Sequence, residues 1–186
     1  MAYETEMKAW VDDWEAVERY LRGHCVFERR FRKEDRYFSL GKRLFRIRAD
    51  GRKAYVTFKE KSVRDGTEFN MEREFGVDDA DAFGDLAAWL GCRESFAKAK
   101  EGLHFVHGDL TVELVHVEEL GDFLEVEYVH DDNDADRHAD AASRIRTFLA
   151  EAGIDERRIE AQPYMKLLRE VRSGTKYGRR NGRRGG

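Results

Sequence analysis

The sequence predicts an α+β fold in which an antiparallel sheet takes up most of the chain. Two observations support this. Segments in which apolar and polar residues alternate far outnumber those with helical periodicity. Short Gly-containing turns also join several of these segments into hairpins. Strands in such number, mostly joined by tight turns, favour a curled sheet or a barrel. The 186 residues suit a single domain of ordinary size.

Four segments have the apolar periodicity of amphipathic helices. They are residues 12–22, 79–90, 135–152 and 163–172. Asp12 or Asp13 suits the N-cap of the first helix, and Gly91 and Gly153 suit the ends of the second and third. Pro163 suits the first turn of the fourth helix.

The remaining regular segments read as strands with one charged and one apolar face. They are residues 2–10, 25–32, 43–49, 53–61, 69–77, 95–100, 103–107, 110–118 and 123–129. Turns are predicted at Asp50-Gly51, Asp65-Gly66 and Gly108-Asp109.

Composition limits the classes of partner. With a formal net charge of −4, the overall field does not attract nucleic acid, so an anion site requires a local concentration of Lys and Arg. Cys25 and Cys92 form no Cys-x-x-Cys pattern, which argues against a zinc or redox site and for reduced thiols. The spacing of the six histidines likewise indicates no metal site.

No targeting or membrane segment is predicted, and we expect a soluble, cytoplasmic protein. The first residues lack an apolar signal region, and no run approaches the roughly 18 apolar residues of a membrane span. Residues 173–186 are predicted to be a disordered basic tail, with its charges at Lys176, Arg179, Arg180, Arg183 and Arg184. A solvated tail is favoured over contact with nucleic acid or an acidic surface.

The segment Glu4-Thr-Glu6-Met-Lys8 carries the most informative pattern. On a strand, its two carboxylates and its ammonium lie on one face. Two carboxylates suit Mg²⁺ or Mn²⁺, and the lysine suits an anion such as phosphate. The pattern is weak alone, because random order in this charged chain gives roughly 14 like-charge pairs at i, i+2.

Similar charge pairs recur on other predicted strands. The acidic pairs are Glu72/Glu74 and Glu125/Glu127, and the basic pairs are Arg46/Arg48, Lys59/Lys61 and Lys98/Lys100. Two architectures satisfy this alternation. An open sheet would expose its charged face to water, whereas a curled sheet would line a cavity with charges and pack its apolar face against helices.

The ordered series of motifs resembles the CYTH superfamily, also called triphosphate tunnel metalloenzymes. After the first row come Asp35-Arg-Tyr37-Phe38, Leu44-Phe-Arg46-Ile-Arg48, Phe58-Lys59-Glu60-Lys61, Glu72-Arg-Glu74-Phe, Phe96-Ala-Lys98-Ala-Lys100, Leu120-Gly121-Asp-Phe123-Leu-Glu125-Val-Glu127 and Tyr164-Met-Lys-Leu167-Leu168. The series extends from about residue 3 to residue 170. The Asp-x-Tyr-Phe element and the overall length look most like the class IV adenylate cyclase branch.

The resemblance implies an antiparallel eight-stranded barrel, or tunnel, with helices packed outside, formed by a single domain over residues 1–172. Its metal side would hold Mg²⁺ or Mn²⁺ through Glu4, Glu6, Glu72, Glu74, Glu125 and Glu127. Its phosphate side would comprise Lys8, Arg46, Arg48, Lys59, Lys61, Lys98 and Lys100. Glu4, Glu6 and Lys8 would be the catalytic row. The implied partner is a triphosphate-containing small molecule, and a homodimer stays open.

Two departures from the family pattern stand out. In Leu114-Val115-His116-Val117, Val115 occupies a position where the family often has an aspartate, and Glu113 is the residue able to substitute. Lys98 and Lys100 occur where arginine is frequent, and lysine lacks the bidentate geometry of a guanidinium.

The sequence leaves several activities open. The resemblance favours a cyclase that converts ATP to cyclic AMP and pyrophosphate. The alternatives are hydrolysis of inorganic or thiamine triphosphate, a binding module without turnover, and an open sheet with a solvated charged face.

Overall fold

The computed structural model describes residues 3–51, 53–64, 67–130 and 135–174. Within these ranges it leaves out the side chains of residues 3–4, 59–64, 67–72, 130 and 135–138. The turn predicted at Asp65-Gly66 and residues 175–186 of the predicted tail lie outside the described residues.

The described residues form an eight-stranded sheet with four α-helices, which confirms the predicted α+β class. The elements are β1 (Tyr3–Trp10), α1 (Trp14–His24), β2 (Val26–Leu40), β3 (Arg43–Asp50), β4 (Lys53–Arg64), β5 (Thr67–Val77), α2 (Ala80–Trp89), β6 (Arg93–His107), β7 (Leu110–Val117), β8 (Gly121–His130), α3 (Ala135–Glu151) and α4 (Tyr164–Arg172).

The strand order is β1-β8-β7-β6-β2-β3-β4-β5. Antiparallel pairing joins β1 to β8, β7 to β8, β2 to β3, β3 to β4 and β4 to β5. In the part of the chain that the structure describes, the order ends at β1 and at β5. Closure of the sheet into a tunnel therefore stays a prediction.

Three of the predicted strands have the wrong bounds. The strand predicted over 25–32 continues to Leu40 as β2, and the strands predicted over 95–100 and 103–107 are one strand, β6. Gly102, which lies between these two predicted strands, is at the position where β6 approaches β7: an added Cβ would stand 2.2 Å from the carbonyl oxygen of Leu114. The glycine therefore permits close strand contact and does not form a turn.

The helices follow the predicted periodicity and caps. Asp13 caps α1 by accepting a hydrogen bond from the backbone of Ala16, and Gly91 ends α2 at a φ of 91°. The periodicity of residues 79–90 predicts an apolar stripe of Phe83, Leu86, Ala87 and Leu90, and this is wrong in part, because Leu86 and Leu90 are exposed.

The chain divides into two compact units, each with its own core. The first comprises Met1–Arg30 and Glu101–Gly186, and the second comprises Phe31–Lys100. In the first, one face of the sheet packs against α1 and α3, with a core of Val17, Leu21, Phe105, Val112, Leu114, Leu124, Ile145 and Leu149. In the second, a smaller core contains Phe38, Ile47, Val56 and Ala87.

The segment before α4 attaches to β1 in the first unit. Ile159 forms an isolated antiparallel bridge with Ala9. The backbone N–H of Glu160 donates to the carbonyl oxygen of Lys8, and the indole of Trp10 donates to the Glu160 carboxylate. This attachment fixes where α4 begins, four residues after the last of these contacts.

Cys25 and Cys92 are free, partly buried thiols, as predicted. None of the helices that the structure describes has the length and apolar character needed to span a membrane.

Candidate functional site

The first unit aligns carboxylates from three adjacent strands on one face of its sheet. In the β1–β8 pairing, Glu6 lies opposite Glu127 and Lys8 lies opposite Glu125. In the β7–β8 pairing, Glu113 lies opposite Glu125. Because residues directly opposite each other share a face, the five side chains form one charged patch. We call Glu6, Lys8, Glu113, Glu125 and Glu127 the acidic face.

The backbone of Glu4 extends the same row. It lies opposite Val129 on β8, and its side chain is outside the described set. The register therefore brings the predicted residues Glu6, Glu125 and Glu127 beside Lys8, and it adds Glu113.

The centre of the acidic face is a buried pair of like charges. Glu113 and Glu125 are each only 8% exposed, and the register places them directly across from each other. Like charges at such positions destabilise a sheet unless a counter-charge or hydrogen bonds compensate them.

Both carboxylates have defined hydrogen-bond partners. The Tyr164 hydroxyl donates to Oε1 of Glu125 at 2.7 Å. Nδ1 of His104 lies 3.2 Å from Oε1 of Glu113, and its Nε2 lies 3.4 Å from Oε2 of Glu28. The ammonium of Lys8 lies 5.2 Å from the centre of the Tyr164 ring. These contacts orient side chains that would otherwise repel each other.

The carboxylates of the acidic face act electrostatically on the Tyr164 phenol. Burial raises the pKa of Tyr164 well above its ordinary value, and the negative charges of Glu125, Glu6 and Glu113 raise it further. Tyr164 is thus a neutral hydrogen-bond donor at physiological pH.

The donor chemistry of the acidic face fits a hard divalent cation, since carboxylate oxygens are the usual ligands of Mg²⁺ and Mn²⁺. Among the side chains that the structure describes, no three of the His, Cys, Asp or Glu type are grouped closely enough to hold a metal ion. The acidic face therefore supplies the right ligands without a preformed cluster.

A second, basic group is organised around Asp35 in the second unit. Its carboxylate accepts hydrogen bonds from Nε and Nη2 of Arg48 at 2.7 and 2.9 Å, and it lies 2.7 Å from Nζ of Lys98. The Asp35 side chain is fully buried. Burial alone would raise its pKa, but the Arg48 hydrogen bonds and the charge of Lys98 lower the pKa below its ordinary range.

The neighbouring cations are largely buried as well. Burial lowers the pKa of Lys98, against the opposing effect of Asp35. Lys100 is 5% exposed. Arg46 donates to Oγ1 of Thr57 at 3.1 Å. We call Arg46, Arg48, Lys98 and Lys100 the basic cluster.

Of the other predicted site residues, one lies beside the basic cluster and three have side chains outside the described set. Glu74, predicted for the metal side, belongs to the second unit, where it accepts a hydrogen bond from Thr57 and lies 3.9 Å from Arg46. The side chains of Lys59, Lys61 and Glu72 are outside the described set.

Val115 is part of the core. It is fully buried and lies opposite Phe123, whose ring contacts Trp10 at 4.1 Å and Tyr164 at 4.9 Å between centres. An aspartate in this apolar setting would be costly, so Glu113 is the carboxylate that β7 supplies to the acidic face.

Asp35 and Tyr164 belong to the sequence motifs, but the sequence predicts a role for neither. A single aspartate beside an aromatic pair carries no sign of its partners, because Arg48 and Lys98 lie far along the chain. One sequence feature could have indicated Asp35. The predicted strands carry several Lys and Arg residues, and burying them requires a nearby carboxylate.

Comparison with known proteins shows the family of this chain. The model of the CYTH domain matches residues 2–164. The chain belongs to the CYTH family. Members of this triphosphate tunnel superfamily mostly act on triphosphates and typically depend on divalent metals. The comparison with curated proteins found no significant match.

Solved structures share the CYTH fold. A protein from Pyrococcus horikoshii has 28% identity and a TM-score of 0.74, covering 89% of this chain and 99% of its own. A candidate adenylate cyclase from Vibrio parahaemolyticus has 14% identity and a TM-score of 0.73, and the match covers 90% of this chain and 98% of that protein. An adenylyl cyclase candidate from Hippeastrum has 17% identity and a TM-score of 0.59, and the match covers 95% of this chain and 97% of that protein. That protein is described as having a dominant triphosphatase activity. At these identities, the last two show the fold alone.

Proposed function

We propose that this CYTH protein is a metal-dependent enzyme that acts on a triphosphate. The observation that carries the proposal is the register of β1, β8 and β7, which sets Glu6, Glu113, Glu125 and Glu127 side by side around Lys8. A sheet gains nothing from such a row of like charges, whereas a divalent cation would be held by it.

The residues divide into two roles. Glu6, Glu113, Glu125 and Glu127, with Glu4 continuing the row, would hold Mg²⁺ or Mn²⁺, which neutralises phosphate oxygens and stabilises the leaving group. Lys8 would bind phosphate oxygens on the first unit, and the residues of the basic cluster would bind phosphate oxygens on the second unit. Lys59 and Lys61, which the resemblance adds to the phosphate side, would extend the basic set.

Conversion of ATP to cyclic AMP is the first reaction to test, because the motif series is most like the class IV cyclases. In that reaction the 3′-hydroxyl of ATP attacks the α-phosphorus and loses its proton. An O–P bond forms, the bond from the α-phosphorus to the bridging oxygen breaks, and pyrophosphate leaves.

Hydrolysis is the second candidate, and the Hippeastrum protein favours it as an example of a cyclase-like chain with triphosphatase activity. In this case water attacks the terminal phosphorus and loses its proton. The bond from that phosphorus to the bridging oxygen breaks, the diphosphate portion of the substrate is the leaving group, and orthophosphate is the other product. Both reactions require the same cation and the same basic side chains, and they differ in where the nucleophile is held.

One panel of reactions distinguishes these activities. The purified protein is incubated with ATP, tripolyphosphate and thiamine triphosphate, each with Mg²⁺ or Mn²⁺, and cyclic AMP and phosphate are both measured. Cyclic AMP without phosphate identifies a cyclase, and phosphate from tripolyphosphate identifies a hydrolase. No turnover, combined with tight binding by calorimetry, identifies a binding module and overturns the enzymatic proposal.

The metal assignment has its own test. The double variant Glu4→Gln, Glu6→Gln should abolish metal-dependent turnover while the protein keeps its cooperative thermal unfolding. The variant Glu15→Gln is the control, because it removes a carboxylate from the first turn of α1. Turnover that survives the double substitution would show that the acidic row is not the metal side.

A further inference from the structure

Tyr164 makes contacts with both kinds of residue on the acidic face. Its hydroxyl donates to Glu125 at 2.7 Å, and its ring lies beneath the ammonium of Lys8 at 5.2 Å. Glu125 is an expected cation ligand, and Lys8 is an expected phosphate ligand. One side chain thus holds a member of each set.

The fold delivers Tyr164 to this position from far along the chain. Ile159 and Glu160 pair with the backbone of β1, and Pro163 then precedes Tyr164 at the start of α4. The helix is anchored behind it by Leu167 and Leu168, which are fully buried. The backbone is held before Tyr164 by β1 and after it by the core. The Tyr164 side chain therefore has little freedom to move away from the acidic face.

We propose that Tyr164 is a positioning residue that sets the orientation of Glu125 toward the bound cation. The hydroxyl occupies one lone pair of Oε1 and so fixes which oxygens of the carboxylate face the cation. The Lys8 contact keeps the ammonium beside the same ring. Tyr164 therefore positions a cation ligand, Glu125, and a phosphate ligand, Lys8, relative to each other. This role rests on the proposed function, because it takes Glu125 as a cation ligand.

The test measures Mn²⁺ binding by calorimetry on the full chain without substrate. Tyr164→Phe removes only the hydroxyl and keeps the ring. It should weaken Mn²⁺ binding by about 10- to 100-fold, the usual loss when a partner of a metal ligand is removed. Binding of tripolyphosphate without metal should stay unchanged, because the ring under Lys8 remains.

The matched control is Tyr20→Phe. The Tyr20 hydroxyl also donates to a carboxylate, Oε2 of Glu151 at 3.3 Å, in the same unit but outside the acidic face. This variant should bind Mn²⁺ as the wild type does.

A double-mutant cycle separates positioning from a general effect. In a Glu125→Gln background, Tyr164→Phe should have no additional effect on Mn²⁺ binding, because the carboxylate that it orients is gone. Equal losses in both backgrounds, or unchanged Mn²⁺ binding in Tyr164→Phe, would overturn the positioning role. Loss of cooperative thermal unfolding in Tyr164→Phe would overturn it too, and would make Tyr164 a folding residue. If the wild type itself binds no Mn²⁺, the proposed function fails first.

Discussion

Replacing Asp35 by asparagine should destabilise the protein by about 3–5 kcal/mol, the usual cost of removing one partner of a buried ion pair. Asp35 is fully buried and compensates Arg48 and Lys98 at distances of 2.7 to 2.9 Å. Asparagine keeps the shape and one acceptor oxygen, but its amide group faces the N–H donors. Lys98, which is buried, and Arg48, which is partly buried, then lose the charge of Asp35.

Urea denaturation followed by circular dichroism measures this loss, with an unchanged m-value showing that the unfolded state is comparable. The control is Glu94→Gln, which disrupts two hydrogen bonds from Arg36 in the same unit. Both of those side chains are more than 30% exposed, so the loss should stay below about 1 kcal/mol. Similar losses for the two variants would refute the reasoning, since burial is the feature that separates them.

The Asp35 effect should also depend on pH. Because its folded pKa lies below the unfolded value of about 3.9, its ionisation stabilises the protein fully above about pH 5. That contribution is lost as the pH falls through the folded pKa. The difference in unfolding free energy between the wild type and Asp35→Asn should therefore narrow from pH 7 to pH 3, and a constant difference would contradict the ionised pair.

Three further predictions follow from other contacts. Gly102→Ala should lower the free energy of unfolding by about 3 kcal/mol or more in a melting assay, because its Cβ would meet a backbone carbonyl. Gly23→Ala is the control and should not destabilise α1, because no atom lies near the added Cβ. Arg46→Ala should weaken tripolyphosphate binding in calorimetry with less loss of stability than Arg48→Ala, which breaks the pair with Asp35. Glu113→Gln should raise the melting temperature in EDTA by removing like-charge repulsion, and should reduce the stabilisation by Mn²⁺.

Periodicity and caps were sufficient to predict the helices and most strands, because those signals are local. Asp13 and Gly91 act within one turn of their helices, and a single sequence shows that. The break predicted between residues 100 and 103 is wrong, and the sequence could not show why Gly102 is there, because the carbonyl group that it accommodates lies across the sheet at Leu114. Leu86 and Leu90 follow a helical stripe, but periodicity does not show how much of a stripe the neighbouring elements cover.

In the candidate site too, local features could be predicted from the sequence and long-range pairings could not. The alternation of Glu6 and Lys8, and of Glu125 and Glu127, predicts that each pair shares a face, but only the register shows that the two strands are neighbours. The roles of Asp35 and Tyr164 depend on partners 13 or more residues distant. No local pattern encodes such pairings.

The position of β1 has a consequence for how the protein folds during synthesis. β1 is synthesised before the other seven strands of the sheet, yet its partner β8 begins at Gly121. Ile159 and Glu160, which also pair with β1, are synthesised later still. Contacts at such separation slow folding, because a long loop must close before they form. The row from Glu4 to Lys8 therefore completes its pairing only after Glu160 has been synthesised, and a nascent chain should acquire cation binding only after that point.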